Sequence, residues 1–146
     1  MAKEGQKKGW PQADAKWTQK CGQHGYSVIP NILFYYTADL GISPAQQALL
    51  FQLVGRWWTG EGTPTISKAR LAEGLGISER QVQRHLSALK KAGLIEARFP
   101  NLPGRHPNEY TFHGLVKKLQ KISVEYGSKK RQQKYQRDQV ARSSIN

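Results

Sequence analysis

The chain has 146 residues, room for one compact domain with tails and not comfortably for two. Twenty-three Lys and Arg against ten Asp and Glu give a net charge of +13 and a pI near 10.1, which points to a polyanionic partner, nucleic acid ahead of an anionic membrane. A single cysteine, Cys21, leaves no internal disulfide, no apolar run approaches a membrane span, and polar residues rather than a signal-peptide core follow Met1, so a cytoplasmic, nucleoid-associated location is expected.

The charge is uneven. Residues 1–30 carry five basic and two acidic side chains, 31–126 twelve and seven, and 127–146 six and one. Per residue the ends are more basic than the middle, as in a folded reader flanked by arms that hold phosphate. Residues 1–25 are rich in Gly, Lys and Gln and poor in aliphatic residues, and read as a disordered basic arm. Trp10 and Trp17 in that arm could stack on bases or dock on the domain, but a tryptophan in such an arm has no specific meaning by itself. Cys21 and His24 have C-x-x-H spacing but no second ligand pair, so no metal site is expected.

A folded domain is expected over 26–126. YSVIPNILFYY, interrupted by Pro30, reads as an extended lead-in followed by a short helix or strand. A clear helix follows: Ser43 is its N-cap, Pro44 takes the tolerated first position, and Gln46 completes a capping box. Leu49, Leu50, Leu53, Val54 and Trp57 give it a broad apolar face, and it is expected to end around Trp58. At least one of Trp57 and Trp58 should be core. Thr65 and Ile66 fit a very short strand.

Residues 67–94, SKARLAEGLGISERQVQRHLSALKKAGL, are the stretch the rest is arranged around. Ser67 caps a first helix with Leu71, Ala72 and Leu75 on one face. Gly76 ends it, Ile77 plugs the corner, and Ser78 with Gln81 forms a second capping box. Val82, Leu86 and Leu89 then fall at i, i+4, i+7, a buried stripe that leaves Arg80, Gln83, Arg84 and Ser87 outward. His85 borders the stripe and reads as packed. This is the pattern of a helix-turn-helix. Lys90 and Lys91 suit the last turn and Gly93 the helix end. LIEARF and EYTFH alternate around the turn-rich NLPGRHPN, which predicts a hairpin, or wing, with its loop over 99–107. Leu115, Val116, Leu119 and Ile122 have helical spacing, and Gly127 is expected to end that helix. The remainder, 127–146, reads as a basic tail, either disordered or helical on contact with a partner.

The expected fold class is therefore mainly α with a small β-hairpin wing: a winged helix-turn-helix with flexible basic arms at both ends. Over 26–126 the chain resembles the winged helix-turn-helix domain of plasmid- and phage-borne replication and regulatory proteins. Over 65–98 it is similar to GntR- and MarR-type regulators, most specifically in LAEGLGISERQVQRHLSALKKAGLI. The resemblance implies double-stranded DNA as partner, with 78–90 in the major groove and the wing on the backbone or minor groove. It carries no single biological role; the reading taken is a regulator or mobile-element maintenance factor, with a homodimer or an array on repeated sites as the possible assemblies. An origin-binding replication protein and a winged-helix protein-interaction module are the alternatives.

The chemistry of the side chains fits a reader. Arg80 and Arg84, one turn apart, can each give two hydrogen bonds to guanine, and Gln83 can pair with adenine. Ser87 and Lys90 suit phosphate. Ser67 with Lys68, and Ser78, begin helices whose free N–H groups suit phosphate as well. Arg105 and His106 would sit at the wing tip, and Lys129, Lys130 and Arg131 would add salt-sensitive phosphate affinity. The residues contain no carboxylate pair, Ser-His-Asp set or Walker loop, so neither catalysis nor a cofactor is expected.

Overall fold

The computed structural model describes residues 11–57, 63–98 and 108–145. Seven helices and three strands follow one another among them. They are α1 (Pro11–Trp17), α2 (Gln19–Gly22), α3 (Asn31–Tyr35), α4 (Pro44–Val54), β1 (Thr65–Ile66), α5 (Lys68–Leu75), α6 (Glu79–Lys91), β2 (Glu96–Arg98), β3 (Asn108–Thr111) and α7 (His113–Ser143). This is the order of a winged helix-turn-helix.

Local chemistry sets most of the boundaries. Ser43 Oγ accepts from the Gln46 N–H at 3.2 Å while Gln46 Oε1 accepts from the Ser43 N–H at 2.9 Å, so α4 begins with a complete capping box. Gly76 closes α5 at φ 66°, a left-handed conformation that a side chain would strain. Ala92 ends α6, and Gly93, at φ 72°, follows one residue later.

The strands form an antiparallel sheet of order β1-β3-β2, in which Thr65 faces Glu109 and Ala97 faces Tyr110. β2 ends just before residues 99–107 and β3 begins just after them, the stretch in which the sequence places a wing loop and which lies outside the described residues. The core joins Leu49, Leu50, Leu53 and Val54 of α4 to Leu71 and Ala72 of α5 and to Val82, Leu86 and Leu89 of α6. Leu94, Ile95, Tyr110, Phe112, Leu115 and Leu119 close it from the sheet and α7.

Three boundaries differ from the sequence reading. α4 stops at Val54 rather than near Trp58: Trp57 has left the helix to pack on Phe112, ring centroids 5.2 Å apart. Residues 11–22 form two short helices where a disordered arm was expected. Tyr26 ties them down, its phenol donating to Asp14 Oδ1 at 2.7 Å, and that bond first and burial second push the phenol pKa up to about 12. Finally, α7 runs through Gly127 to Ser143 instead of ending at the glycine. A helix-interior glycine costs only about 1 kcal/mol relative to alanine, too little to break a helix with good formers on both sides.

Where α6 hands over to α7 the backbones touch. The Leu115 N–H donates to the Leu94 carbonyl at 3.1 Å, and Lys118 Nζ donates to the Ala92 carbonyl. A Cβ at Gly114 would run into the Gly93 carbonyl, an obstacle made of backbone rather than a movable side chain. Gly114→Ala should therefore destabilise the domain by about 3 kcal/mol, at the upper end for overpacking, read as a lower denaturation midpoint at unchanged m-value. A midpoint equal to wild type would show that α7 is not seated on this turn.

Candidate nucleic-acid interface

The candidate interface is built on α6. Ser78 Oγ accepts from the Gln81 N–H at 3.1 Å and Gln81 Oε1 accepts from the Ser78 N–H at 3.0 Å, the second complete capping box in the chain. Val82, Leu86 and Leu89 are buried, which leaves Arg80, Arg84 and Ser87 exposed on the other side. Neither guanidinium has a hydrogen-bond or ion-pair partner among the described residues. Both are thus available to an incoming acceptor. Gln83 is half-buried and donates from Nε2 to Ser87 Oγ at 3.1 Å, so these two expected contacts are joined to one another. His85 is half-buried beside the stripe, as its position there suggested.

Ser67 Oγ accepts from the Arg70 N–H at 3.2 Å and so caps α5. Its hydroxyl, like that of Ser78, is engaged within the protein, and what these helix starts offer an anion is their remaining N–H groups. Lys68, on the first turn of α5, lies close enough to Lys90, on the last turn of α6, to affect its titration. Burial first and Lys68 second lower the Lys90 pKa.

A second pair of cations was not legible in the sequence. Arg56, just past α4, donates to the Gln52 carbonyl and to Gln52 Oε1, and burial followed by the charge of Arg70 on α5 lowers its pKa. Arg56 lies fourteen positions from Arg70 and Lys68 twenty-two from Lys90. No local spacing signals such pairs, which only the crossing of α4, α5 and α6 creates. Like charges brought near one another raise the local positive potential, which favours an anion at the rim of α6.

Arg105 and His106, expected at a wing tip, lie outside the described residues, as do Trp10 and Trp58. The strands that would carry the wing are present. Lys129, Lys130 and Arg131 are exposed on α7, away from α6 in sequence but on a helix anchored to its end. Among the described residues no helix is long and apolar enough to cross a membrane.

Residues 40–95 match a family model described as a helix-turn-helix domain. No curated protein matches the chain. Among solved structures it is similar to a "Possible transcriptional regulator from Methanosarcina mazei Go1", with 18 % identity over 66 % of this chain and 80 % of that one and a TM-score of 0.45, a likeness too distant to carry an argument.

Two measurements check this geometry. Ser78→Ala removes half of the α6 capping box and should cost about 1 kcal/mol of stability, whereas Ser78→Asp, which still caps, should restore most of it. Lys68→Gln removes the like charge beside Lys90 and should move the Lys90 pKa back up toward its ordinary value, read by NMR of the lysine side-chain amine; no movement would separate the two cations. The capped pair α5–α6 with its buried stripe is a helix-turn-helix, and residues 40–95 resemble the helix-turn-helix domain family.

Proposed function

We propose that the chain is a sequence-specific binder of double-stranded DNA that acts as a regulator, of transcription or of the maintenance of a plasmid or other mobile element. The observation that carries this reading is the outer face of α6. Arg80 and Arg84 stand one turn apart, exposed and unpartnered among the described residues, on a helix whose start is fixed by a capping box and whose other side is buried.

A guanidinium fork suits the O6 and N7 acceptors of guanine in the major groove. The Gln83–Ser87 pair would open to meet an adenine or a phosphate, and Lys68 and Lys90 would meet backbone phosphates at the end of the helix. The wing loop over 99–107, with Arg105 and His106, would follow the backbone or enter the minor groove beside it. DNA binding alone leaves the biological role open between control of transcription and control of copy or inheritance. The arrangement of the target separates these: inverted half-sites suit a dimeric regulator, and direct repeats suit an array.

The test is selection of binding sites from a random duplex library at near-physiological salt, with the full chain beside its Arg80→Ala/Arg84→Ala variant. A defined motif is expected with the wild type. Each lost two-bond contact should cost about 1–3 kcal/mol at its base pair, so the variant should lose the motif at those positions. Salt-sensitive binding without a motif, unchanged by the two substitutions, would refute the specific-reader assignment.

A further inference from the structure

α7 is 31 residues long, about 46 Å at 1.5 Å per residue, and only its first half belongs to the domain. Leu115 and Leu119 are buried, Ile122 packs on the core, and Tyr126 meets Tyr36 edge-on with ring centroids 5.5 Å apart. These four lie on one stripe of the helix, at intervals of four, three and four. The same stripe continues at 130, 133 and 137 as Lys130, Gln133 and Arg137. Its chemistry thus switches from apolar to basic where the domain ends.

From residue 128 onward every described side chain is exposed. Tyr135 and Val140, on opposite sides of the helix, are 66 and 65 % exposed, so no part of the described protein covers either side. α7 carries nine Lys and Arg against Glu125 and Asp138. Lys130 and Lys134, and Lys134 and Arg137, are like charges at helical-neighbour spacing, which repel in the free helix. A polyanion relieves that repulsion. A second copy of the helix aggravates it, and would also set Lys130 and Arg137 at the seam where paired helices need apolar residues.

The root of this helix is fixed. Lys118 Nζ donates to the Ala92 carbonyl and the Leu115 N–H to the Leu94 carbonyl, so α7 leaves from the C-terminal end of α6. We propose that α7 beyond Tyr126 is a stiff arm that sets Lys130, Lys134 and Arg137 along the phosphate backbone of duplex DNA flanking the site met by α6. This rests on the DNA reading above and assigns a second, sequence-independent contact. Residues 127–143 span about 25 Å, the length of about seven base pairs. Basic side chains spread around the helix suit a charged backbone rather than a pattern of base edges.

The test uses the full chain and its Lys130→Gln/Lys134→Gln/Arg137→Gln variant, glutamine being nearly as good a helix former as lysine. Affinity is measured against salt for the motif-bearing duplex trimmed to the motif, for the same duplex extended by about one turn on each side, and for random duplexes of both lengths. Circular dichroism verifies equal helix content. The wild type should prefer the extended duplexes and the variant should not, while keeping the same motif. Losing three phosphate contacts should lower the salt slope by about 2.7, which shrinks the affinity lost between about 50 and 200 mM salt by about forty-fold.

Equal slopes and equal length preference in the two proteins would overturn the arm, including the case in which the helix serves an acidic protein instead. A motif without any length preference sinks the arm and leaves the reader standing. Length-dependent, salt-sensitive binding without a motif, lost in the variant, sinks the reader and leaves the arm.

Discussion

Burial of three side chains fixes the rotation of α6 about its own axis, and the interface follows from that rotation. Val82, Leu86 and Leu89 lie in one apolar cluster with α4 and α5. With 3.6 residues per turn, turning them inward leaves Arg80, Arg84 and Ser87 outward. Full burial is worth about 1.5–3 kcal/mol per aliphatic side chain, an upper bound against a partly collapsed unfolded chain. The Ser78–Gln81 box contributes about 1 kcal/mol. The stripe therefore decides which way the helix faces, and the cap decides where it begins. Neither depends on the outward residues, which leaves their chemistry open to a partner.

The same core carries that orientation to the rest of the domain. Gly76 lets α5 turn tightly into α6 at one end, and the Gly93–Gly114 approach locks α7 to its other end. The sheet buries Ile66, Asn108, Tyr110 and Thr111, and because β3 lies between β1 and β2 it fixes the chain on either side of residues 99–107. Cations that are far apart in sequence come within electrostatic reach around this frame: Lys68 of Lys90, and Arg70 of Arg56. Charge was abundant in the composition. The packing is what concentrates it.

What could be read beforehand was local. Ser43, Ser67 and Ser78 announced helix starts, Gly76 a turn, and the i, i+4, i+7 aliphatic stripe of α6 its buried side, because each signal involves residues within one or two turns of each other. Non-local features were not legible. The end of α4 depends on Trp57 meeting Phe112, fifty-five positions away, and the order in 11–22 depends on Tyr26 reaching Asp14. Gly127 was misleading for an energetic reason: one glycine weakens a helix by about 1 kcal/mol and does not end it. The outward face of α6 and the basic character of 127–146 were legible, but the continuation of α7 through that tail, as a helix projecting from the core, was not.

We propose that the outer face of α6, and not charge alone, recognises DNA. The most direct measurement is an NMR titration of the 15N-labelled chain with the duplex that binds it most tightly, following the arginine side-chain Nε–H signals and their contacts to DNA protons. Arg80 and Arg84 are expected to shift in slow exchange and to show contacts to base protons of the major groove, with Lys68 and Lys90 near phosphates. Shifts confined to α7 and the N-terminal segment, with the Arg80 and Arg84 signals unmoved, would contradict it.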